Sequence, residues 1–527
     1  MFHFHSGETR RRSRACVAAT AVFALAAATQ LPSTAQVPAA QAAQAQTAQV
    51  HTPASPISRP ASADFDAMKA RGTVVASVAC AEDATQSYAL YLPSQYTPER
   101  GWPIIYAFDP FAHGKTAVET YKDAAEKYGY IVVGSNNAKN GPSAPEMTAA
   151  QAVWQDTHRR LTIDKDRVYV TGLSGGARFA TSFALYCYTC EIAGVIAHGA
   201  SYPVPMKEIK GANDHFLYYV AVGDADFNLP EILTLRKKKE EQGAQFKIKV
   251  YPGPHQWAPP AVVEDALEWL DLKAMQTGTK KADAAFVLHV LEQTREEAAQ
   301  AEKRGDTLTQ FYALRSLAID FKAIKGFAGV ELKAVEEDVS KAEAQLAELK
   351  GSKALKKAQH QEQQEIDKQE SLTAAAQGQI AQLGQSAPEV QAGFRQQITS
   401  AMFDMRRRAK SNASDHALYA RAFNGLWIQG IEAGQDQFRK NEFPAAAVYF
   451  ELMADVAPDQ PWPVLLLAET RVRQGTKKAA LKALEEAVKR GVKRPETLTQ
   501  DPELQPLAGD PEFQRIVQGL RGSPTGP

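Results

Sequence analysis

The stretch Val170-Thr-Gly-Leu-Ser-Gly-Gly-Ala-Arg178 constrains the fold of this chain more than any other. It joins RVYV at 167–170, which reads as a buried strand, to ARFATSFALY at 177–186, which reads as a helix. A strand that turns sharply into a helix strains its corner residue, and a Cβ at the flanking positions would clash with the turn. Gly172 and Gly176 supply the room, so Ser174 stands at the corner with its hydroxyl above a sheet edge. An ordinary glycine-rich turn that happens to contain a serine fits the same pentapeptide. The residues elsewhere must discriminate.

From 64 to 275 apolar runs alternate with helical patterns. Strands are expected over Thr73–Val78, Tyr88–Leu92, Pro103–Phe108, Tyr130–Ser135, Arg167–Gly172, Ala193–His198, Phe216–Gly223 and Lys247–Tyr251. Runs such as IIYAF and YIVVG are apolar throughout, as a parallel strand covered on both faces requires. Helices are expected over Ala117–Lys127, Thr148–Arg160, Ala177–Tyr186, Leu229–Gln242 and Val262–Met275. This alternation predicts a doubly wound, mostly parallel α/β sheet, in which ligands gather at the carboxyl ends of the strands. The connecting loops are short, so no large lid is expected within this region.

A serine hydroxyl is a weak nucleophile at neutral pH and needs a base, which in turn needs an orienting acid. Gly223-Asp-Ala-Asp226 follows one expected strand and Gly253-Pro-His255-Gln-Trp257 follows the last. Both lie on the same side of the sheet as Ser174, in the order serine, acid, histidine. Asp226 is preferred to Asp224 because the loop needs a few residues to reach the histidine. His113, His158, His198 and His215 read as structural or exposed. An oxyanion hole is expected from the backbone N–H of Gly175 with that of Phe111, since Pro110 has none. The asparagines of Ser135-Asn136-Asn-Ala-Lys-Asn-Gly-Pro142, Asn136 first, either contact substrate or shape their turn.

SYALYLPSQY at 87–96, PIIYAFDP at 103–110, GLSGG at 172–176, GDAD at 223–226 and GPHQW at 253–257 resemble secreted esterases of the α/β-hydrolase superfamily. That group includes polyhydroxybutyrate depolymerases, feruloyl and acetyl xylan esterases, and dienelactone-hydrolase relatives. The resemblance implies an α/β-hydrolase domain over 64–275, a Ser174–Asp226–His255 triad, and Trp257 shaping the pocket beside the histidine. Where those esterases carry His-Gly after the third strand, this chain has Asp109-Pro110.

The N-terminus places Arg10-Arg-Arg-Ser-Arg14 before ACVAATAVFALAAA, a basic segment and then 14 apolar residues. That is the pattern of a secretory signal peptide, expected over 1–42, and it is too short to span a bilayer. Residues 43–63 are rich in Ala, Gln, Thr, Pro and Ser and are expected to form a disordered linker. The mature protein is therefore expected in the periplasm or outside the cell, with no stable membrane span. Lys plus Arg and Asp plus Glu both number 60, which gives no reason to expect a nucleic-acid partner. Cys187-x-x-Cys190 lacks a second pair of soft ligands, so a local disulfide or two buried thiols is expected instead of a metal site. No metal or organic cofactor is called for.

Beyond the polar linker Gln276–Lys281 the strand signal ends. Residues 283–411 read as helical, with Leu332, Val335, Val339, Ala342, Leu346 and Leu349 forming the seam of a coiled coil, a hairpin, or one bundle helix. Over 412–520 a shift of 34 residues places Ala445-Ala446 on Ala479-Ala480, Phe450 on Leu484 and Asn441 on Gly475, the period of a tetratricopeptide repeat. A peptide or protein partner or a spacer role fits that region. The whole reads as an exported serine hydrolase of carboxylic esters, small or polymeric. The rivals are a peptidase with the same triad and a catalytically silent envelope interaction protein.

Overall fold

The computed structural model describes residues 67–187, 189–202, 216–241, 245–324 and 330–521. The expected signal peptide, the linker over 43–63 and His215 lie outside the described residues. The rest belongs to one unit, Ala61–Pro527.

Eight strands form one sheet: β1 (Val74–Ala79), β2 (Ser87–Tyr91), β3 (Trp102–Phe108), β4 (Ile131–Ser135), β5 (Ile163–Leu173), β6 (Gly194–His198), β7 (Leu217–Gly223) and β8 (Phe246–Tyr251). Their order is β1-β2-β4-β3-β5-β6-β7-β8. β2 runs antiparallel to β1 and β4, and all other pairs are parallel. Helices α1 (Gly114–Tyr128), α2 (Ser143–Arg160), α3 (Gly175–Tyr186), α4 (Leu229–Glu241) and α5 (Pro260–Thr277) connect or follow the strands. This mostly parallel sheet with helices on both faces is the doubly wound α/β architecture that the alternation predicts.

Alternation along the strands explains the two cores. Ile104, Tyr106 and Phe108 face a cluster with Val153 of α2, Phe179 and Phe183 of α3 and Ile232 of α4. Their neighbour Ile105 faces the opposite cluster, with Tyr121 of α1 and Val263 and Leu267 of α5. Side chains of period two therefore feed both faces, and every residue of β3 is buried. Burying one such large apolar side chain stabilises the fold by about 1.5–3 kcal/mol.

α5 runs two residues into the expected linker, to Thr277, and is capped by Gly278 in the left-handed conformation. The second half is all helical: α6 (Ala284–Arg304), α7 (Thr307–Asp320), α8 (Val330–Gly351), α9 (Lys353–Leu383), α10 (Pro388–Ala409), α11 (His416–Arg439), α12 (Phe443–Val456), α13 (Trp462–Arg473), α14 (Lys477–Arg490), α15 (Glu496–Thr499) and α16 (Pro511–Arg521). Side-chain N-caps from Asp283, Asp306 and Ser352 start α6, α7 and α9. Val335, Val339, Ala342 and Leu346 bury against Phe311, Leu314 and Leu317 of α7, so the seam belongs to a bundle helix. Asn441 and Gly475 occupy the turns after α11 and α13, both left-handed, at φ 63° and 70°.

Candidate active site

Ser174 sits between β5 and α3 with φ 55° and ψ −121°, a conformation that costs on the order of 1–3 kcal/mol and persists only when its surroundings impose it. The glycines impose it by close approach. A Cβ on Gly172 would lie 2.3 Å from the Gly176 carbonyl oxygen, and one on Gly176 would lie 2.1 Å from that of Phe108. The Ser174 N–H donates to the His198 carbonyl at 2.9 Å, and its own carbonyl accepts from Ala177 and Arg178. Among the described residues its hydroxyl carries no hydrogen bond.

Past β7 and β8 the acid and histidine loops are laced together. Asp224 N–H donates to Tyr251 O at 2.8 Å, Ala225 N–H to Gly253 O at 2.9 Å, and Gly253 N–H to Asp224 Oδ1 at 3.0 Å. Asp224 thus holds the histidine loop, while Asp226 is the carboxylate that meets His255. Its two oxygens each lie 2.9 Å from His255 Nδ1, and it is fully buried. Asp226 Oδ1 also accepts the Asn228 N–H at 2.9 Å. The pair lies against Gly199: a Cβ there would be 2.6 Å from Asp226 Oδ2 and 2.9 Å from His255 Nδ1. Gly199 directly follows His198, whose carbonyl accepts the Ser174 N–H, so the ends of β5, β6, β7 and β8 bring the Ser174 corner and the Asp226–His255 pair to one rim.

His198 itself is buried, bonded to Tyr121 Oη at 2.7 Å, and burial lowers its pKa to about 3, so it stays neutral. Its role is structural. His158 stacks on Trp154 and His113 is exposed beside Asp109.

The oxyanion loop differs from expectation. The Phe111 N–H is already taken by Asp109 Oδ1 at 2.9 Å, because a carboxylate two residues back closes the turn on itself. The Phe111 side chain is 55% exposed and meets Trp462 edge-on with centroids 5.8 Å apart. Asn136 also turns away from the cleft, its Nδ2 donating to Ala76 O and Ser87 Oγ at 3.2 Å. Asn140 is the asparagine beside Ser174. A Cβ on Gly175 would lie 2.1 Å from Asn140 Oδ1, and the Asn140 N–H is tied to Pro110 O at 2.9 Å.

Trp257 donates its indole N–H to Asp109 Oδ2 at 3.1 Å and packs on His198 with centroids 5.0 Å apart. Asp109, 4% exposed, therefore joins the oxyanion loop to the histidine loop. In the sequence, the Asp109-Pro110 pair stands where the esterases it resembles carry His-Gly. Gly199 gave no signal in the sequence.

The helical half reaches the loops after β7 and β3. Arg421 of α11, buried, donates to Asp224 O at 2.5 Å and to Gln369 Oε1 at 2.8 Å, and it pairs with Glu365. Phe227 lies on the His255 ring, centroids 4.3 Å apart, with Gly425 of α11 behind it. Trp462 of α13 packs edge-on against Phe111. A cavity of about 550 Å³ opens along the same seam between α4 and α9, lined by Leu229, Leu233, Ile366, Glu362 and Arg421, and it contains none of the three rim side chains. Among the described residues no three His, Cys, Asp or Glu side chains are grouped to hold a metal ion. No described helix is long and apolar enough to cross a membrane.

No family model matches this chain, and no curated protein matches it. Among solved structures it is similar to the S-formylglutathione hydrolase FrmB of Staphylococcus aureus, at 14% identity and TM-score 0.29, covering 35% of this chain and 90% of that one. It is similar to a ferulic acid esterase at 16% identity and TM-score 0.31, covering 35% and 91%. It is also similar to esterase 2 of Thermogutta terrifontis at 13% identity and TM-score 0.30, covering 38% and 91%.

Proposed function

We propose that this protein is an exported serine hydrolase that cleaves carboxylic esters through an acyl-enzyme. Ser174 Oγ attacks the ester carbonyl carbon while His255 Nε2 takes its proton. The C–O bond then breaks, and the departing alkoxide receives that proton as an alcohol. Water, deprotonated by the same imidazole, releases the acid. Asp226 holds His255 in the tautomer with Nδ1–H and stabilises the imidazolium. Gly175 N–H binds the oxyanion, with the Asn140 carboxamide as its partner in place of Phe111; one such donor is worth about 10² to 10³ in rate.

The observation that carries the reading is the Asp226–His255 pair, locked by laced loops onto Gly199, beside a serine held in a strained corner. Export is supported by the basic-then-apolar N-terminus and by the bonded Cys187–Cys190 pair, which favours an oxidising compartment. The tetratricopeptide-like reading of 412–520 is supported by left-handed turns at Asn441 and Gly475, 34 positions apart. Turnover of p-nitrophenyl acetate against peptide anilides tests the assignment. Ester cleavage that Ser174→Ala abolishes supports it, and anilide cleavage without ester cleavage would replace it with the peptidase.

A further inference from the structure

An orienting acid works only while it stays in place, and the loop that carries Asp226 is gripped from two sides. The sheet side holds its N–H groups: Asp224 donates to Tyr251 O at 2.8 Å, Ala225 to Gly253 O at 2.9 Å and Asp226 to Gly223 O at 3.1 Å. Two of its carbonyls point the other way. Among the described residues, Asp224 O and Phe227 O accept nothing from the sheet or its loops, and both are met by the helical half. Arg421 Nη1 of α11 donates to Asp224 O at 2.5 Å, and Gln369 Nε2 of α9 donates to Phe227 O at 3.5 Å. These two carbonyls bracket Asp226.

The two helical residues are themselves joined. Gln369 Oε1 accepts the Arg421 Nε–H at 2.8 Å, so the carboxamide spends its acceptor on the arginine and a donor on the loop. Glu365, one turn earlier on α9, pairs with the other arm of the guanidinium. Arg421 is 4% exposed and Gln369 8%. A buried cation is a costly way to fill space, and apolar side chains of similar volume commonly serve stability as well. Its planar fork of donors is suited instead to fixing one carbonyl relative to two other groups. Gly425, one turn beyond Arg421 on the same face of α11, backs the far end of the loop. A Cβ there would meet Phe227 Cβ at 3.4 Å, and the Phe227 ring lies on His255 with centroids 4.3 Å apart.

We propose that α9 and α11 clamp the acid loop, and that Arg421 and Gln369 are positioning residues that hold Asp226 against His255. On the serine-hydrolase reading, from which this follows, the helical half is then part of the enzyme and not a spacer beside it. As the imidazolium forms, Asp226 must keep its place 2.9 Å from Nδ1. A loop freed at Asp224 O drifts with its carboxylate, and a drift of about 1 Å costs about 10² in rate.

The test measures p-nitrophenyl acetate hydrolysis by the full-length protein, Arg421→Met, Arg421→Lys and a matched control, Arg236→Met. Arg236 is 7% exposed, two turns into α4, and pairs with Glu362 of α9, so it joins the same two halves away from the acid loop. Arg421→Met is expected to lower kcat by about ten- to a hundredfold with KM within about twofold. Arg421→Lys, which keeps a donor for Asp224 O, should recover most of that loss, and Arg236→Met should keep kcat within about twofold of wild type. The downfield proton resonance of His255 Nδ1–H reports the pair without any substrate. It should be sharp in the wild type and Arg236→Met, and broadened in Arg421→Met. Gln369→Met strips both bonds of the carboxamide and should act in the same direction, which keeps the test open where Arg421→Met does not fold. Wild-type kcat or an unchanged resonance in a folded Arg421→Met or Gln369→Met protein overturns the inference. So does an equal loss of kcat in Arg236→Met. Fluorophosphonate labelling separates the two failures: a wild type labelled at Ser174 whose clamp variants turn over normally sinks the inference alone, whereas an unlabelled, folded wild type sinks the hydrolase reading and this one with it.

Discussion

Gly199 offers a way to perturb the proposed triad without removing any of its groups. An alanine there must hold φ near +61°, which costs roughly 1–2 kcal/mol for a residue with a Cβ. Its methyl would lie 2.6 Å from Asp226 Oδ2 and 2.9 Å from His255 Nδ1. Ordinary contact lies near 3.5 Å, so the pair must retreat by roughly 0.5–1 Å. A displacement of about 1 Å at a reacting group costs about 10² in rate, equivalent to about 2.7 kcal/mol of transition-state stabilisation. Gly199→Ala should therefore lower kcat for p-nitrophenyl acetate about a hundredfold, leave KM within about twofold, and lower the melting temperature by a few degrees. Gly393→Ala is the control, since nothing lies within 4 Å of its added Cβ in the middle of α10. It should raise stability by about 0.5–1 kcal/mol and leave kcat unchanged. A folded Gly199→Ala protein with wild-type kcat would show that the Asp226–His255 pair does not take part in the chemistry.

Three further outcomes follow from the same geometry. Asp226→Asn should keep the fold and lower kcat by about 10⁴, because the amide leaves His255 in the wrong tautomer; steady-state kinetics with circular dichroism checks it. Glu146, buried in the first turn of α2, has its pKa raised by burial from 4.5 to about 7. The folded state thus binds the proton more tightly, so this contribution to stability is complete below about pH 4.5 and lost as pH rises through about 7. Glu146→Gln should be more stable than wild type by up to about 3 kcal/mol at pH 8 and equal to it at pH 4, read by urea unfolding. Arg421→Met strips partners from Asp224 O, Gln369 and Glu365, and should destabilise the protein by about 2–4 kcal/mol in thermal melts.

The sheet was legible because its strands are buried on both faces, so runs such as IIYAF carry their own signal. Where a strand left the core, the signal failed: Ile163–Asp166 of β5 is polar and pairs β3 only at Trp102, across an irregularity in register. α1 and α2 likewise begin before their apolar periodicity does, at Gly114 and Ser143. In the candidate site, the places of Ser174, Asp226 and His255 were legible because each follows a strand end. The rest was illegible where loops from distant segments met. Asn140 reaches Gly175 only because its backbone is tied to Pro110, and Phe111 closes on Asp109 through a turn whose geometry composition does not encode. The contact of α11 with the Asp224 loop was hidden for the same reason: Arg421 and Asp224 are separated by 197 positions.

Peptide mapping after reaction with a fluorophosphonate probe tests the chemistry at its source. The probe is expected to leave a single adduct, on the hydroxyl of residue 174, formed rapidly in the wild-type protein, slowly in Asp226→Asn and not at all in Ser174→Ala. An adduct on another residue, or none on a correctly folded wild-type chain, would contradict the account.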